Sequence, residues 1–239
     1  PILARMEHWG LLVDKERLLS LAERFTEEGG ALQEGVTSLT GGQIRNVNSH
    51  KQVREYLFGR NEGQLRQRPT LRSRRTNEPS TSARVLSRFT SKDGYGWVKV
   101  LLRARQILKL PKTYCYGIVS KLDSDNRSHT QLSQVTAETG RLASKSPNHQ
   151  NIPKRRVEGL EIRRCIIASP GCVLLVADKY QIELRILAEE SNDSRMKEAF
   201  LSGQDIHSQT AIEMFGDPKQ RFSGKILNYT IGYLAGARQ

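Results

Sequence analysis

Cysteine is scarce in this 239-residue chain, and the three present, Cys115, Cys165 and Cys172, are odd in number and show no CxxC spacing. That argues against a disulfide scaffold or a cysteine-built zinc site and suits a reducing, intracellular compartment. Apolar residues are modest at 37%, enough for a core. No segment approaches the roughly 18 apolar residues of a spanning helix, and no secretory signal is visible. Acids are short as well: 25 Asp and Glu stand against 38 Lys and Arg, a formal net charge of +13. Such a balance points to a polyanionic partner, usually nucleic acid, with a basic membrane-surface protein as the competing class. There is no methionine at the start, and Pro1 opens in mid-pattern, so the chain reads as a fragment or processed piece. Its length allows one large domain or two small ones.

Two stretches carry the chemistry. Val173 to Ala177 is a short apolar run rich in β-branched residues, which predicts a buried strand ended by Asp178. From Gln181 the period changes: Ile182, Ile186 and Leu187 recur at helical spacing, with Glu183 and Arg185 between them. A carboxylate where a strand becomes a helix can ligate a hard divalent cation. It can equally cap the helix, the commoner occupation. Further on, Arg221, Lys225, Tyr229 and Tyr233 follow one another at four-residue steps, which keeps them on one slowly turning helix face. Two cations at the N-terminal end oppose the helix dipole and so serve something other than helix stability. They suit a polyanion such as a triphosphate, and the phenols beyond suit stacking on a base. A solvated amphipathic helix is the plain alternative.

With these residues in view, the chain is similar to a known family. Asp178-x-x-Gln181-Ile182-Glu183-Leu184-Arg185 resembles motif A of the family A (DNA polymerase I type) DNA polymerases. The Arg221, Lys225, Tyr229, Tyr233 series resembles their motif B on the fingers helix. Asp205-Ile206-His207, Thr139-Gly140-Arg141-Leu142 and Pro147-Asn148-x-Gln150-Asn151-Ile152-Pro153 resemble further elements in the family's order. The implied fold is α+β: a helical thumb over residues 1–118, a partial palm with a partly antiparallel sheet over 119–200, and the start of helical fingers over 201–239.

Along the chain, Ile2, Leu3, Met6 and Trp9 form the apolar face of a first helix ended by Gly10, and Asp14 caps a longer one that Gly29-Gly30 interrupts. Ser49 with Gln52 is a capping-box pattern, and Asp205 is placed as the N-cap of a helix running to Gly216. Residues 59–80 lose the apolar pattern and crowd Arg60, Arg66, Arg68, Arg72, Arg74 and Arg75 into a basic flexible arm. The resemblance makes that arm a thumb tip gripping phosphates, a contact that gives salt-dependent affinity without sequence choice. Trp97 to Leu110 is helical, and Pro111 should stop it. Residues 120–140 read as irregular from their composition, while the resemblance implies short strands and turns at the base of the palm.

The resemblance implies template-directed nucleotidyl transfer with two Mg²⁺ ions. Asp178 and the backbone carbonyl of Lys179 would be metal ligands. Lys225 would hold the α-phosphate side and act as general acid, and Arg221 and His207 would bind the outer phosphates. Gln181, Ile182 and Tyr229 would line the nucleotide. Glu183 would exclude a 2′-hydroxyl and accept a hydrogen bond from a fingers tyrosine. Tyr229, where many members carry phenylalanine, implies tolerance of nucleotides lacking the 3′-hydroxyl. Tyr233 would stack near the templating base. Arg105, Lys109, Arg141, Asn148, Gln150, Asn151 and Arg155 would meet primer-template DNA; Arg105 and Lys109, taken singly, are equally ordinary surface cations. The implied partners are primer-template DNA and deoxynucleoside triphosphates, in a monomer of the bacterial cytoplasm or nucleoid, an organelle or the nucleus, with no membrane. Lys179-Tyr180 replaces the family's commoner Tyr-Ser, and Leu234 replaces a usual glycine. The family's second catalytic aspartate, in a His-Asp-Glu turn, does not occur in these residues, so the chain alone is expected not to extend a primer. A noncatalytic nucleic-acid-binding protein derived from a polymerase is the alternative.

Overall fold

The computed structural model describes residues 1–74, 76–154 and 157–233; Arg75 of the basic arm, Arg155 of the expected DNA contacts, and Leu234 lie outside them. The chain divides into two compact units, Pro1–Leu174 and Leu175–Gln239.

The first unit is built on two long helices. They are α2 (Lys15–Leu39) and α5 (Gly96–Leu110), preceded and bridged by α1 (Ile2–Trp9), α3 (His50–Phe58) and the short α4 (Ala83–Leu86). Asp14 caps α2 by accepting from the Arg17 amide at 3.0 Å. Ser49 caps α3, but Gln52 does not complete the capping box. Its Oε1 instead accepts from the amides of Arg45 and Asn46 at 3.0 and 2.9 Å, tying the preceding loop to the helix. One half of α2 packs Leu18, Leu21 and Phe25 against Ile107, Leu110 and Cys115. The other half sets Val36 among Val53, Leu57, Leu86, Trp97 and Leu101. Each such fully buried side chain contributes roughly 1.5–3 kcal/mol of transfer free energy.

Two expectations about α2 and α5 are corrected. Gly29-Gly30 does not interrupt α2. A Cβ at Gly29 would lie 2.5 Å from Leu108 Cδ2, so the missing side chain is what lets α5 approach. Pro111 does not end the helical path either. The backbone runs on through a π-type turn, Pro111–Tyr116, into α6 (Gly117–Val119). Proline removes an amide and crowds the preceding turn, and a wider turn absorbs both. Burial in that turn pushes the Cys115 thiol up to about 12.

Two small antiparallel sheets follow. β1 (Leu11–Leu12) pairs with β2 (Arg127–Ser128), Leu11 opposite Ser128. β3 (Gln131–Ser133) pairs with β4 (Ala143–Lys145), Gln131 opposite Lys145. The span 120–140 thus holds two strands that its polar composition conceals. Helix α7 (Val157–Arg163) completes this unit, with Gly159 against Pro153 and Ile162 in the core.

The second unit contains α8 (Ile182–Glu190), α9 (Ser194–Leu201), α10 (Ile206–Phe215) and α11 (Arg221–Gly232). Its small core joins Leu184, Ala199 and Ile206. The apolar stripe expected of α8 is displaced: Leu184 and Ala188 are buried, whereas Ile182 and Ile186 face outward. The expected strand at Val173–Ala177 is also absent. The run is extended but unpaired, with Val173 87% and Leu175 90% exposed. An apolar run forms a strand only by pairing with free amides and carbonyls, and this one pairs with none of the described strands. α1 likewise leaves Ile2, Met6 and Trp9 exposed. No helix of the described residues is long and apolar enough to cross a membrane.

Gly29→Ala is expected to destabilise the protein by about 1–3 kcal/mol through overpacking on Leu108. At Gly30, in the same helix, a Cβ meets nothing within 4 Å. Gly30→Ala should therefore stabilise by about 0.5–1 kcal/mol. Urea unfolding of the two variants checks the contrast.

Candidate functional site

The second unit brings the two motif stretches together. Helix α11 lies against α10 at Gly224, where a Cβ would fall 2.3 Å from the His207 carbonyl oxygen. Along α11 the four-residue series stays on one face. Lys225 Nζ lies 5.7 Å from the Tyr229 ring centroid, and the rings of Tyr229 and Tyr233 stack at 6.1 Å. His207 is buried beneath this face, its ring 5.8 Å from Tyr229. The amide nitrogen of Asn228 stands 3.1 Å from His207 Nδ1, so that nitrogen accepts and Nε2 carries the proton. Burial lowers the His207 pKa and keeps the ring neutral. At the far end Tyr233 donates to Glu183 Oε2 at 2.7 Å. The tyrosine partner expected for Glu183 is therefore Tyr233, four residues beyond Tyr229.

Asp205 is expected to cap α10. It does so, accepting from the Ser208 amide at 3.0 Å and the Ser208 hydroxyl at 2.6 Å. It also accepts from Tyr180 Oη at 3.0 Å, from Gln181 Nε2 at 2.8 Å, and from Arg221 Nε and Nη2 at 2.7 and 3.1 Å. Burial works to raise its carboxyl. The hydrogen bonds, that of Arg221 foremost, outweigh it and hold the group well below the usual carboxylate range. The same bond holds the Arg221 guanidinium above its ordinary value. The cap was legible in the sequence; the other partners, 16 to 25 residues away in sequence, were not.

Asp178 is exposed, and it does not cap α8. The N-cap position belongs to Gln181, which adopts φ 51°, a left-handed conformation costly for a residue with a Cβ. Its Oε1 is buried without a hydrogen-bond partner. Among the described residues, no three His, Cys, Asp or Glu side chains converge as a metal cluster.

In the first unit, Arg105 spends its guanidinium internally. Nε donates to the Val47 carbonyl at 2.6 Å and Nη1 to the Thr81 carbonyl at 2.8 Å, and burial lowers its pKa. Beside it His50 Nδ1 meets Thr81 Oγ1 at 2.6 Å. Gln150 bridges backbone as well, accepting from the Ser144 amide and donating to the Leu142 carbonyl, each at 3.1 Å. Asn148 caps the turn that contains Asn151. Arg141, Lys109 and Asn151 are exposed.

The comparisons with known proteins agree on one family. The family model described as DNA polymerase family A matches residues 15–239. DNA polymerase I of Rhizobium leguminosarum is 37% identical over 227 residues, covering 95% of this chain and 22% of that protein. The thermostable DNA polymerase I of Thermus caldophilus is 37% identical over 239 residues, covering 97% of this chain and 28% of that one. Among solved structures, the POL domain of Pol1 from M. smegmatis, in complex with DNA primer-template and dNTP, matches at a TM-score of 0.84. It is 34% identical over 96% of this chain and 40% of its own. The chain thus spans between a fifth and a third of the two curated relatives named.

Two predictions follow from the geometry. Arg105→Ala should lower stability by about 2–4 kcal/mol, because two carbonyls lose their donor, each costing about 1–3 kcal/mol when left buried; thermal unfolding checks it. Asp205 has a depressed native pKa, so the stability of its ionised form is complete above the unfolded value of about 4 and is lost as pH falls below it. Asp205→Asn should flatten the acid limb of the stability curve, measured by urea titrations between pH 5 and the most acidic pH at which the fold persists.

Proposed function

The chain belongs to DNA polymerase family A, and from that premise we propose that it forms the part of a DNA-directed DNA polymerase that grips primer-template DNA and receives the incoming deoxynucleoside triphosphate. The observation that carries this reading is the face of α11. Two cations and two phenols lie along it, and its last phenol is hydrogen-bonded at 2.7 Å to Glu183 of the motif A helix. The thumb, palm and fingers assignments given to residues 1–118, 119–200 and 201–239 belong to the same proposal.

Each residue has a stated task. Arg221 and Lys225 bind phosphate oxygens as charge-assisted donors. Lys225 Nζ keeps a proton to hand to the leaving pyrophosphate. His207, neutral and fixed by Asn228, offers its Nε2 hydrogen toward the same phosphates. Glu183, held by Tyr233, fills the space that a 2′-hydroxyl would need. The Tyr229 ring lies beneath the sugar and base. Arg141 reaches the primer-terminal region through the minor groove, Lys109 lies near duplex DNA, and the basic arm meets the phosphate backbone.

Asp178 fits Mg²⁺ as a single ligand: it is an exposed hard carboxylate with no hydrogen bond or ion pair among the described residues, next to the Lys179 carbonyl. Mg²⁺ commonly takes one or two carboxylates together with substrate phosphates and waters. When bound, it supplies charge stabilisation at the phosphates and a more acidic primer hydroxyl. A two-metal arrangement would need a second carboxylate beside Asp178. Lys179 beside the Asp178 carboxylate, where the family commonly has tyrosine, is what favours the second reading, a polymerase-derived nucleic-acid-binding protein without catalysis.

Calorimetric titration with dATP and Mg²⁺ separates the two. The polymerase reading expects saturable binding that weakens at least about tenfold in Lys225→Ala, the equivalent of one charge-assisted hydrogen bond. Asp178→Ala should remove the Mg²⁺ dependence. Salt-sensitive DNA binding without affinity for the triphosphate would assign the chain to the second reading.

A further inference from the structure

The cation assigned to the outer phosphates is already holding an anion. Arg221 grips Asp205 through Nε at 2.7 Å and Nη2 at 3.1 Å, a forked arrangement that a phosphate would also use. The Arg221 side chain is 48% exposed, so a ligand in solvent can reach it. Asp205 itself is pinned by the Ser208 amide and hydroxyl, Tyr180 and Gln181. If Arg221 swings away, four donors remain on the carboxylate and no buried charge is orphaned. The exchange therefore costs little, and only the flexible arginine has to move.

We propose that Asp205 is an internal competitor for the triphosphate: it occupies Arg221 in the nucleotide-free chain and must be displaced from it by the phosphates. This rests on the reading of Arg221 as a phosphate ligand and adds a residue that sets the affinity of that site. The carboxylate carries one charge and a triphosphate carries several, so the exchange favours the ligand richest in charge.

The test is a calorimetric titration of the 239-residue chain with tripolyphosphate, without metal, in the parent, two single variants and their double variant. Asn caps helices as well as Asp, so Asp205→Asn keeps the Ser208 cap while losing the ion pair. It is expected to bind tripolyphosphate about fivefold more tightly, equivalent to ~1 kcal/mol, the upper range of an exposed ion pair. A general change of field would tighten binding with or without Arg221. Competition requires the gain to vanish when Asp205→Asn is placed in an Arg221→Ala background.

An Asp205→Asn variant that binds no tighter, or whose gain survives in the Arg221→Ala background, overturns the competitor and leaves the triphosphate site standing. Arg221→Ala binding tripolyphosphate like the parent overturns the triphosphate reading itself. Should circular dichroism show Asp205→Asn unfolded, Asp205→Ser, which also keeps a helix cap without the charge, decides, with unchanged or weaker binding against the proposal.

Discussion

Between the backbones of α10 and α11 there is room at Gly224 for a hydrogen and nothing larger. A Cβ there would lie 2.3 Å from the His207 carbonyl oxygen and 3.1 Å from the Ala211 amide nitrogen. This approach is the constraint on which the polar geometry of the second unit depends. It lets Asn228 reach His207, lets Thr210 reach Asn228 at 3.0 Å, and lets Arg221 at the head of α11 reach Asp205 at the head of α10. A bulkier residue would part the helices, and all three contacts would lengthen together.

The same packing explains why the functional face has one orientation. α11 makes its backbone contact on one side, so Arg221, Lys225, Tyr229 and Tyr233 share another. Tyr233 then closes onto Glu183, which α8 holds just beyond the left-handed turn at Gln181. Strain of that kind persists only where surroundings over-determine it. Here Gln181 Nε2 is fixed by the Asp205 carboxylate and the Tyr180 hydroxyl. Two stretches some forty residues apart in sequence are thus tied at both ends, by Asp205 at one and Glu183 at the other.

Much of this was legible in the sequence where a rule of periodicity or capping applied. The α11 face follows from four-residue spacing, and Asp14, Ser49 and Asp205 are the caps their positions suggested. The α+β class, carried by resemblance, holds, as does the family. What escaped depends on neighbours far away in sequence. The run Val173–Ala177 says that its side chains want burial but cannot say whether a partner strand is beside it. Gly29 reads as a helix breaker until Leu108 is seen to occupy its missing side chain. Arg105 reads as a surface cation until Val47 and Thr81 are found to present carbonyls to it. Tyr180 reads as a departure from a family pattern, yet its hydroxyl lies 3.0 Å from Asp205.

The central claim is that the α11 face together with Glu183 forms a deoxynucleotide site. The most direct measurement compares the affinities of dATP and ATP for the chain and for Glu183→Ala under identical salt and Mg²⁺. The account predicts that the parent prefers dATP and that the preference disappears in Glu183→Ala, since on the proposed reading the carboxylate held by Tyr233 would exclude the 2′-hydroxyl. Equal affinity for the two nucleotides in the parent chain would contradict it.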